Sequence, residues 1–262
     1  MTENTAAQQK TTESGRQMVA VVTGASTGIG EATAKKLRQD GWTVYAVARR
    51  AERLEDLAGE TGVIPAATDI TDQDQVNALR DRVLDEQGTI DALINISGGA
   101  RGVDKVGDAK DDDWNFMYDV NVMGTMRLIR AFLPALRENG EGTVLNLTSV
   151  AAEFAYEGGS GYNAAKFGQR ALTQALRLEE AENNIRVIEV APGLVHTPEF
   201  SLMRLGDQAA ADKVYAGVEK PLTSEDVAEV CAFAVNLPHH IDLDTITVKP
   251  VAQAAVHKMI RK

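Results

Sequence analysis

Met18 to Gly30 reads MVAVVTGASTGIG. Met18 to Thr23 is a short apolar run that stops at a glycine-rich turn, the pattern of a strand buried on both faces of a parallel sheet. Gly24, Gly28 and Gly30 space that turn as G-x-x-x-G-x-G, and Glu31 to Asp40 has the composition of a helix. Strand, glycine turn and helix in this order make the start of a dinucleotide-binding unit. The glycines let the backbone approach a pyrophosphate, and the helix N-terminus offers free N–H groups and positive partial charge. The spacing is not G-x-G-x-x-G, and a glycine turn alone is equally consistent with a plain tight turn. Its place between a strand and a helix carries the functional reading.

Gly41 ends the helix, and Trp42 to Ala48 (WTVYAVA) is a second strand. In a dinucleotide fold the end of that strand meets the adenosine ribose. An acidic residue there would bind both ribose hydroxyls and repel a 2′-phosphate; this chain has Ala48, Arg49 and Arg50 instead. A guanidinium is planar, always charged and suited to phosphate, so the expected cofactor is NADP(H) rather than NAD(H). The plainer alternative makes both arginines solvated residues of a helix start, Arg50 the more readily.

The alternation continues. Helices are predicted at Glu52–Gly59 and Gln73–Gln87, and strands at Val63–Ala67 and Asp91–Asn95. Asp69 is placed to bond an adenine amino group or to serve as a turn residue before a helix capped by Thr71 or Asp72. Asn95 to Gly99 forms a flexible strand end where the strand order reverses, the place where ligands lodge in such sheets. Asp111 to Asn139 reads mostly as one long helix carrying Val120-Asn121-Val122. Asn121 either makes a structural backbone bond or fixes water and distorts the helix near the active site, because an unpaired amide there costs desolvation. Gly142 to Thr148 is strand five, Ile185 to Val190 strand six and Thr245 to Val248 the last strand. A helix capped by Thr223 or Ser224 runs to about Asn236.

Ser149 to Lys166 reads SVAAEFAYEGGSGYNAAK. If Tyr162 to Arg177 is helical, Lys166 lies one turn beyond Tyr162 on the same face. A buried ammonium beside a phenol favours the phenolate and lowers its pKa toward working pH, which makes tyrosine a usable general acid/base. Ser149, at the end of strand five, is placed to hydrogen-bond an oxygen that gains charge. Tyr-x-x-x-Lys alone is short, and a surface pair on an ordinary amphipathic helix matches it as well.

The whole chain bounds these readings. Its 262 residues allow roughly one to two domains. Apolar content of 44% and charged content of 25% are ordinary for a globular protein. A net charge of −11 argues against a nucleic-acid partner. Cys231 is the only cysteine, which excludes an intrachain disulfide or a thiolate metal cluster and suggests a reducing cytoplasm. No run approaches the roughly twenty apolar residues that span a bilayer. Residues 1–17 are polar and are expected to be a disordered lead-in.

With these pieces in order, the chain resembles the short-chain dehydrogenase/reductase family over about residues 18 to 250. The resemblance rests on T-G-x-x-x-G-x-G at Thr23 to Gly30, Asp69, N-x-x-G at Asn95 to Gly98, Asn121, Ser149, Tyr162 and Lys166, and Pro192-Gly193 with Thr197. It implies a single Rossmann-type α/β domain, a doubly wound parallel sheet of order 3-2-1-4-5-6-7 with helices on both faces. It implies a catalytic tetrad of Asn121, Ser149, Tyr162 and Lys166, with Lys166 on the nicotinamide ribose, Thr197 near the carboxamide and Asn121 ordering a proton relay. The implied cofactor-binding residues are Thr23, Gly24, Ser26, Thr27, Gly28, Ile29, Gly30, Arg49, Arg50, Asp69, Ile70, Asn95, Tyr162, Lys166, Pro192, Gly193, Val195 and Thr197, with no metal. The usual N-N-A-G is Asn95-Ile96-Ser97-Gly98 here, a departure expected to change local loop geometry and not cofactor binding.

Three further stretches, PGLVHTPEFSLMRLG (192–206), LTSEDV (222–227) and LPHHIDLDTITVKP (237–250), resemble the NADP-dependent serine and 3-hydroxy-acid dehydrogenases. That likeness implies a small 3-hydroxy acid such as serine, allo-threonine or 3-hydroxypropionate. It also implies a substrate loop over about 194–222, and a homo-oligomer, tetramer or dimer, with the tail 251–262 at a subunit interface. The alternatives are a carbonyl or 3-oxoacyl reductase of a larger, less charged substrate and a non-catalytic NADP(H)-sensing protein. Arg101 and Arg204 are the candidate partners for a substrate carboxylate, and His196 is a further polar candidate. Glu153, on the loop Ala151 to Gly161 expected to line the pocket, would repel a carboxylate if it pointed inward.

Overall fold

The computed structural model describes residues 10–11 and 15–262. Strands β1 (Val19–Thr23), β2 (Thr43–Ala48), β3 (Ile64–Ala67), β4 (Ala92–Asn95), β5 (Thr143–Leu147), β6 (Arg186–Pro192) and β7 (Thr245–Val248) form one parallel seven-stranded sheet. Its order is β3-β2-β1-β4-β5-β6-β7, the Rossmann order expected from the sequence. The central strands are buried along their whole length, which is why they read as continuous apolar runs and not as alternating ones.

Helices cover both faces. α1 (Gly28–Gln39), α2 (Ala51–Thr61) and α9 (Ser224–Asn236) lie on one side, where Leu37, Trp42, Leu54, Ile188 and Val227 form a core. α3 (Gln73–Gln87), α5 (Gly124–Asn139) and α6 (Ser160–Glu180) lie on the other, around Tyr45, Val83, Leu128, Phe132 and Leu176. Burying Leu128 or Phe132 completely stabilises the fold by about 1.5–3 kcal/mol each. α9 starts at a reciprocal capping box between Thr223 and Asp226, as its Thr-x-x-Asp sequence allows.

Two sequence expectations change. The single long helix expected over 111–139 is α4 (Asp111–Tyr118), one π turn (Asp119–Met123) and α5. The π turn has a local cause: Asn121 Nδ2 donates both to Met117 O (2.7 Å) and to Gly99 O (2.8 Å), so its side chain competes inside the helix. The expected lead-in over 1–17 lies mostly outside the described residues, and its described remainder is held on the domain. Lys10 N donates to Gly41 O, and Arg16 pairs with the buried Asp91, which also accepts from Val19 N.

The segment expected as the substrate loop contains α7 (Phe200–Leu205) and α8 (Gln208–Tyr215). The C-terminal residues form a hairpin, β8 (Gln253–Ala255) with β9 (Lys258–Met259), that returns to this segment. Gln253 Oε1 accepts from Leu194 N at 2.7 Å, Lys262 N donates to Gly217 O and Arg261 donates to Val214 O. The tail expected at a subunit interface thus makes these contacts within its own chain.

Candidate active site

A cleft of about 920 Å³ opens at the C-terminal ends of β1 to β6. At one end it is lined by the glycine turn with Ser26, Thr27 and Ile29, by Arg49, Arg50, Asp69 and Ile70, and at the other by Ser149, Tyr162, Lys166, Pro192, Gly193, Val195 and Thr197. The turn is tight because only glycine fits it. A Cβ on Gly30 would stand 2.3 Å from Gly24 O, and one on Gly24, at φ +73, 3.1 Å from Ser97 N. Thr27, the N-cap of α1, makes no side-chain cap bond, so the first N–H groups of the helix face the cleft without a side-chain acceptor.

Arg49 lines the cleft with no hydrogen bond or ion pair to another described residue, which fits an anionic ligand group. Arg50 is held: Nε and Nη2 donate to Ser26 Oγ (3.1 and 2.9 Å), and Nη1 to both oxygens of Glu199 (2.9 and 2.8 Å). Asp69 accepts from Thr71 N and Oγ1, and Asp72 caps α3. Three residues named from the sequence stand behind the cleft wall. Thr23 Oγ1 accepts from Ile96 N and Ser97 N, both at 3.0 Å, and so ties β1 to the strand end after β4. Asn95 donates to Asn146 Oδ1 at 2.8 Å and is buried. Asn121 is buried behind Gly99 and shapes the backbone there through its bonds to Gly99 N and O.

At the other end, α6 begins at Ser160, two residues earlier than expected, and presents Tyr162 and Lys166 on one face. Both are nearly fully buried. Lys166 Nζ donates to Leu147 O (3.0 Å) and Gln169 Oε1 (2.8 Å), and lies 5.8 Å from the Tyr162 ring centroid. Burial pulls the Lys166 ammonium down to about 7, against a push upward from Glu189. Burial is also the largest influence on Tyr162 and raises its phenol, with Tyr156 adding to the rise. A hydrogen bond with Ser149 and the charge of Arg204 act in the opposite direction. The expectation that Lys166 brings Tyr162 down toward working pH is therefore corrected: desolvation favours the neutral form of both groups. Ser149 Oγ accepts from Ala151 N at 3.1 Å and donates only a long bond, 3.5 Å, to Pro192 O, another residue of the cleft lining.

Of the two candidate arginines, Arg204 is in the cleft and Arg101 is not. Arg204 sits on α7 with its Cζ 5.6 Å from the Tyr162 ring centroid, and donates to Tyr156 Oη (2.9 Å), Gly158 O (3.0 Å) and Gly102 O (3.3 Å). Arg101 is exposed and stacks 3.7 Å over Phe116. His196 stacks on Tyr215, with ring centroids 4.2 Å apart, outside the cleft lining. Glu153 is turned away: Oε1 accepts from Thr247 Oγ1 at 2.6 Å and stands 3.7 Å from Arg170. The repulsion expected from an inward Glu153 is thus absent.

Sequence reading passed over several lining or supporting residues. Gln169 is three residues after Lys166 on the same helix face and was open to detection by spacing alone. Glu199, Phe200, which packs edge-on against Tyr162 at 5.7 Å, and Gln253 carried no such signal. Among the described residues no group of acidic, histidine or cysteine side chains is arranged to hold a metal ion, and no helix is long and apolar enough to cross a membrane.

The model of the short chain dehydrogenase family matches residues 18–206. An uncharacterized oxidoreductase of Mycobacterium tuberculosis (strain ATCC 25618 / H37Rv) is 48% identical over 95% of this chain and 97% of its own. The NADP-dependent 3-hydroxy acid dehydrogenase of Schizosaccharomyces pombe is 38% identical over 92% and 96%. The closed form of serine dehydrogenase complexed with NADP+ superposes with a TM-score of 0.88 at 34% identity, covering 94% of this chain and all of that one. Serine and 3-hydroxy-acid dehydrogenases are thus among its relatives, and NADP, whose binding suits the cleft described above, is its cofactor. The chain belongs to the short-chain dehydrogenase family and is an oxidoreductase acting on CH–OH and C=O groups.

Proposed function

We propose that the protein interconverts a small 3-hydroxy acid and its 3-oxo counterpart, using Asn121, Ser149, Tyr162 and Lys166. The observation that carries this reading is Arg204. Its guanidinium is fixed by three acceptors beside Tyr162, where a carboxylate two carbons from the reacting carbon would meet it. The turning away of Glu153 and the relatives' names support the same reading.

NADP(H) supplies or accepts the hydride. The chain's residues manage the proton and the charge. In reduction, Tyr162 is a neutral acid over the working pH range, because burial holds its proton, and it gives that proton to the carbonyl oxygen. Ser149 donates a hydrogen bond to the same oxygen as charge develops. Lys166, at 5.8 Å from the ring centroid, steadies the phenolate left behind and bonds the nicotinamide-side ribose. Asn121 sets the backbone at Gly99 and keeps the π turn open beside Lys166. At the far end the unpaired Arg49 takes the 2′-phosphate, with Arg50 and Ser26 beside it. The turn residues Gly24, Thr27, Gly28, Ile29 and Gly30 cradle the pyrophosphate, Asp69 and Ile70 flank the adenine, and Pro192, Gly193, Val195 and Thr197 flank the carboxamide. Thr23 and Asn95 act by holding the strand ends that carry these groups. The protein works in the cytoplasm as a homo-oligomer, with Trp114, Tyr118 and Phe167 among the large apolar side chains it exposes.

The test is NADP+ reduction with L-serine, L-allo-threonine and 3-hydroxypropionate against uncharged secondary alcohols, with NAD+ in parallel, in wild type and Arg204→Met. Loss of one charged hydrogen-bond partner, about 1.5–3 kcal/mol, should raise KM for the acids roughly 10–150-fold and leave the uncharged alcohols nearly unaffected. Equal effects on both would refute the carboxylate role. A carbonyl or 3-oxoacyl reductase is the second reading, favoured by the apolar Phe116, Phe200, Met203 and Leu205 on the cleft wall. Turnover of bulky ketones above the hydroxy acids would establish it.

A further inference from the structure

Glu189 lies in the middle of β6 with no exposed surface. A carboxylate placed there costs several kcal/mol of desolvation unless it is paired. Its pairing is incomplete. Oε1 accepts from Thr148 Oγ1 at 2.7 Å, whereas Oε2 has no hydrogen-bond partner, and Arg170 Nε stands off it at 3.7 Å.

The strand register shows which way this charge faces. Glu189 is opposite Asn146 of β5, and Asn146 donates to Thr173 of α6 at 2.9 Å. Facing pairs on adjacent strands share a side of the sheet, so Glu189 lies under α6. Lys166 comes down from that same helix onto β5, donating to Leu147 O. A buried ammonium and a buried carboxylate thus share the space between α6 and the β5–β6 pair.

We infer that Glu189 is a positioning residue of the reaction, the buried counter-charge that keeps Lys166 an ammonium beside Tyr162. This rests on the proposed catalytic role of Lys166. The direction of the coupling agrees, since Glu189 is the group that opposes the fall of Lys166 toward 7. The other charged groups near the pair come from several elements. α6 contributes Tyr162, Arg170 and Arg177, and the loop after β5 contributes Glu153. Asp244 precedes β7, and α7 supplies Arg204. Arg177 is occupied by Asp244, and Arg170 is shared between Glu153 and Glu189, each at 3.7 Å. Neither arginine closes on Oε2, so the carboxylate keeps its influence on Lys166.

Titration of Lys166 itself tests this without depending on turnover. Lysine labelled with ¹³C at Cε, assigned with Lys166→Arg, reports the midpoint by NMR in the full-length protein. Glu189→Gln keeps the size and the acceptor for Thr148 and removes the charge. The wild-type midpoint is expected near 7, and that of Glu189→Gln at least about one pH unit lower. Glu189→Asp should recover part of the shift. Arg170→Gln leaves Glu189 in place, removes the competing cation and should raise the midpoint. The alkaline limb of kcat/KM for reduction by NADPH should move with each midpoint. An unmoved midpoint in Glu189→Gln or Arg170→Gln, with only a lower Tm, would make Glu189 a structural residue and overturn the inference. A wild type without turnover would refute the catalytic reading instead, and the NMR midpoints would still decide the link between Glu189 and Lys166.

Discussion

Replacing Lys166 with methionine should make stability respond to pH in a way that isolates this one group. Lys166 is 4% exposed, and its ammonium falls from 10.5 to about 7 on folding. At about 1.4 kcal/mol per pH unit, that fall corresponds to about 5 kcal/mol of destabilisation carried by the wild type. The sign follows from proton binding. Below pH 7 the lysine is protonated in both states and the cost is constant. Between about 7 and 10.5 the unfolded chain holds a proton that the folded chain has released, so the cost declines as pH rises. Above that range it is gone. Methionine has a similar shape and no charge, but gives up the bonds to Leu147 O and Gln169 Oε1, each worth about 1 kcal/mol. Lys166→Met is therefore expected to be more stable than wild type by about 2–3 kcal/mol at pH 6 and less stable near pH 10. Urea unfolding of both proteins from pH 6 to 10, at fixed protein concentration and without cofactor, measures this. The difference in stability should fall by about 1.4 kcal/mol per pH unit above pH 7. A difference that stays flat across that range would show that Lys166 does not titrate low, and would refute the burial argument.

Three further outcomes follow from the cleft. Tyr162→Phe removes the proposed proton donor and should lower kcat by about 10²–10⁴-fold while NADP+ binding, followed by fluorescence, stays nearly unchanged; near wild-type turnover would end the assignment. Arg49→Gln should weaken NADP+ binding by roughly 10–150-fold and leave NAD+ nearly untouched, because only the 2′-phosphate needs the charge. Gly30→Ala, with its Cβ at 2.3 Å from Gly24 O, should cost about 1–3 kcal/mol and lower Tm by several degrees, with loss of cofactor binding read by calorimetry.

The parts of this protein that were legible in sequence are those governed by local rules. Apolar runs with glycine punctuation located β1, β2, β5 and β6 to within a residue or two, since buried parallel strands leave a continuous hydrophobic signature. The four-residue spacing on α6 is enough to put Tyr162 and Lys166 on one face. The π turn was legible only in part: Asn121 stood out as a residue able to distort the helix, but Asp119 to Met123 has ordinary helical composition, and one of the two carbonyls that draw its amide, Gly99 O, lies twenty-two residues away in sequence. The ionisation of Tyr162 was misread for a related reason. Proximity to Lys166 followed from spacing, but the depth of burial that outweighs it depends on what packs over the site, including Phe200 and Arg204.

Order of motifs along the chain therefore determined the sheet and the dinucleotide turn, Arg49 and Arg50 after β2 pointed to a phosphate-bearing cofactor, and spacing supplied the proposed Ser-Tyr-Lys set. Tertiary structure alone decided where the long charged side chains point. It put Arg204 inside the cleft and Arg101 outside, turned Glu153 to Thr247, and joined Arg50 to Glu199 across 149 residues of sequence. The physical reason is that such side chains have several rotatable bonds and no local rule to orient them. Their direction is set by which counter-charge or carbonyl the completed fold brings within reach.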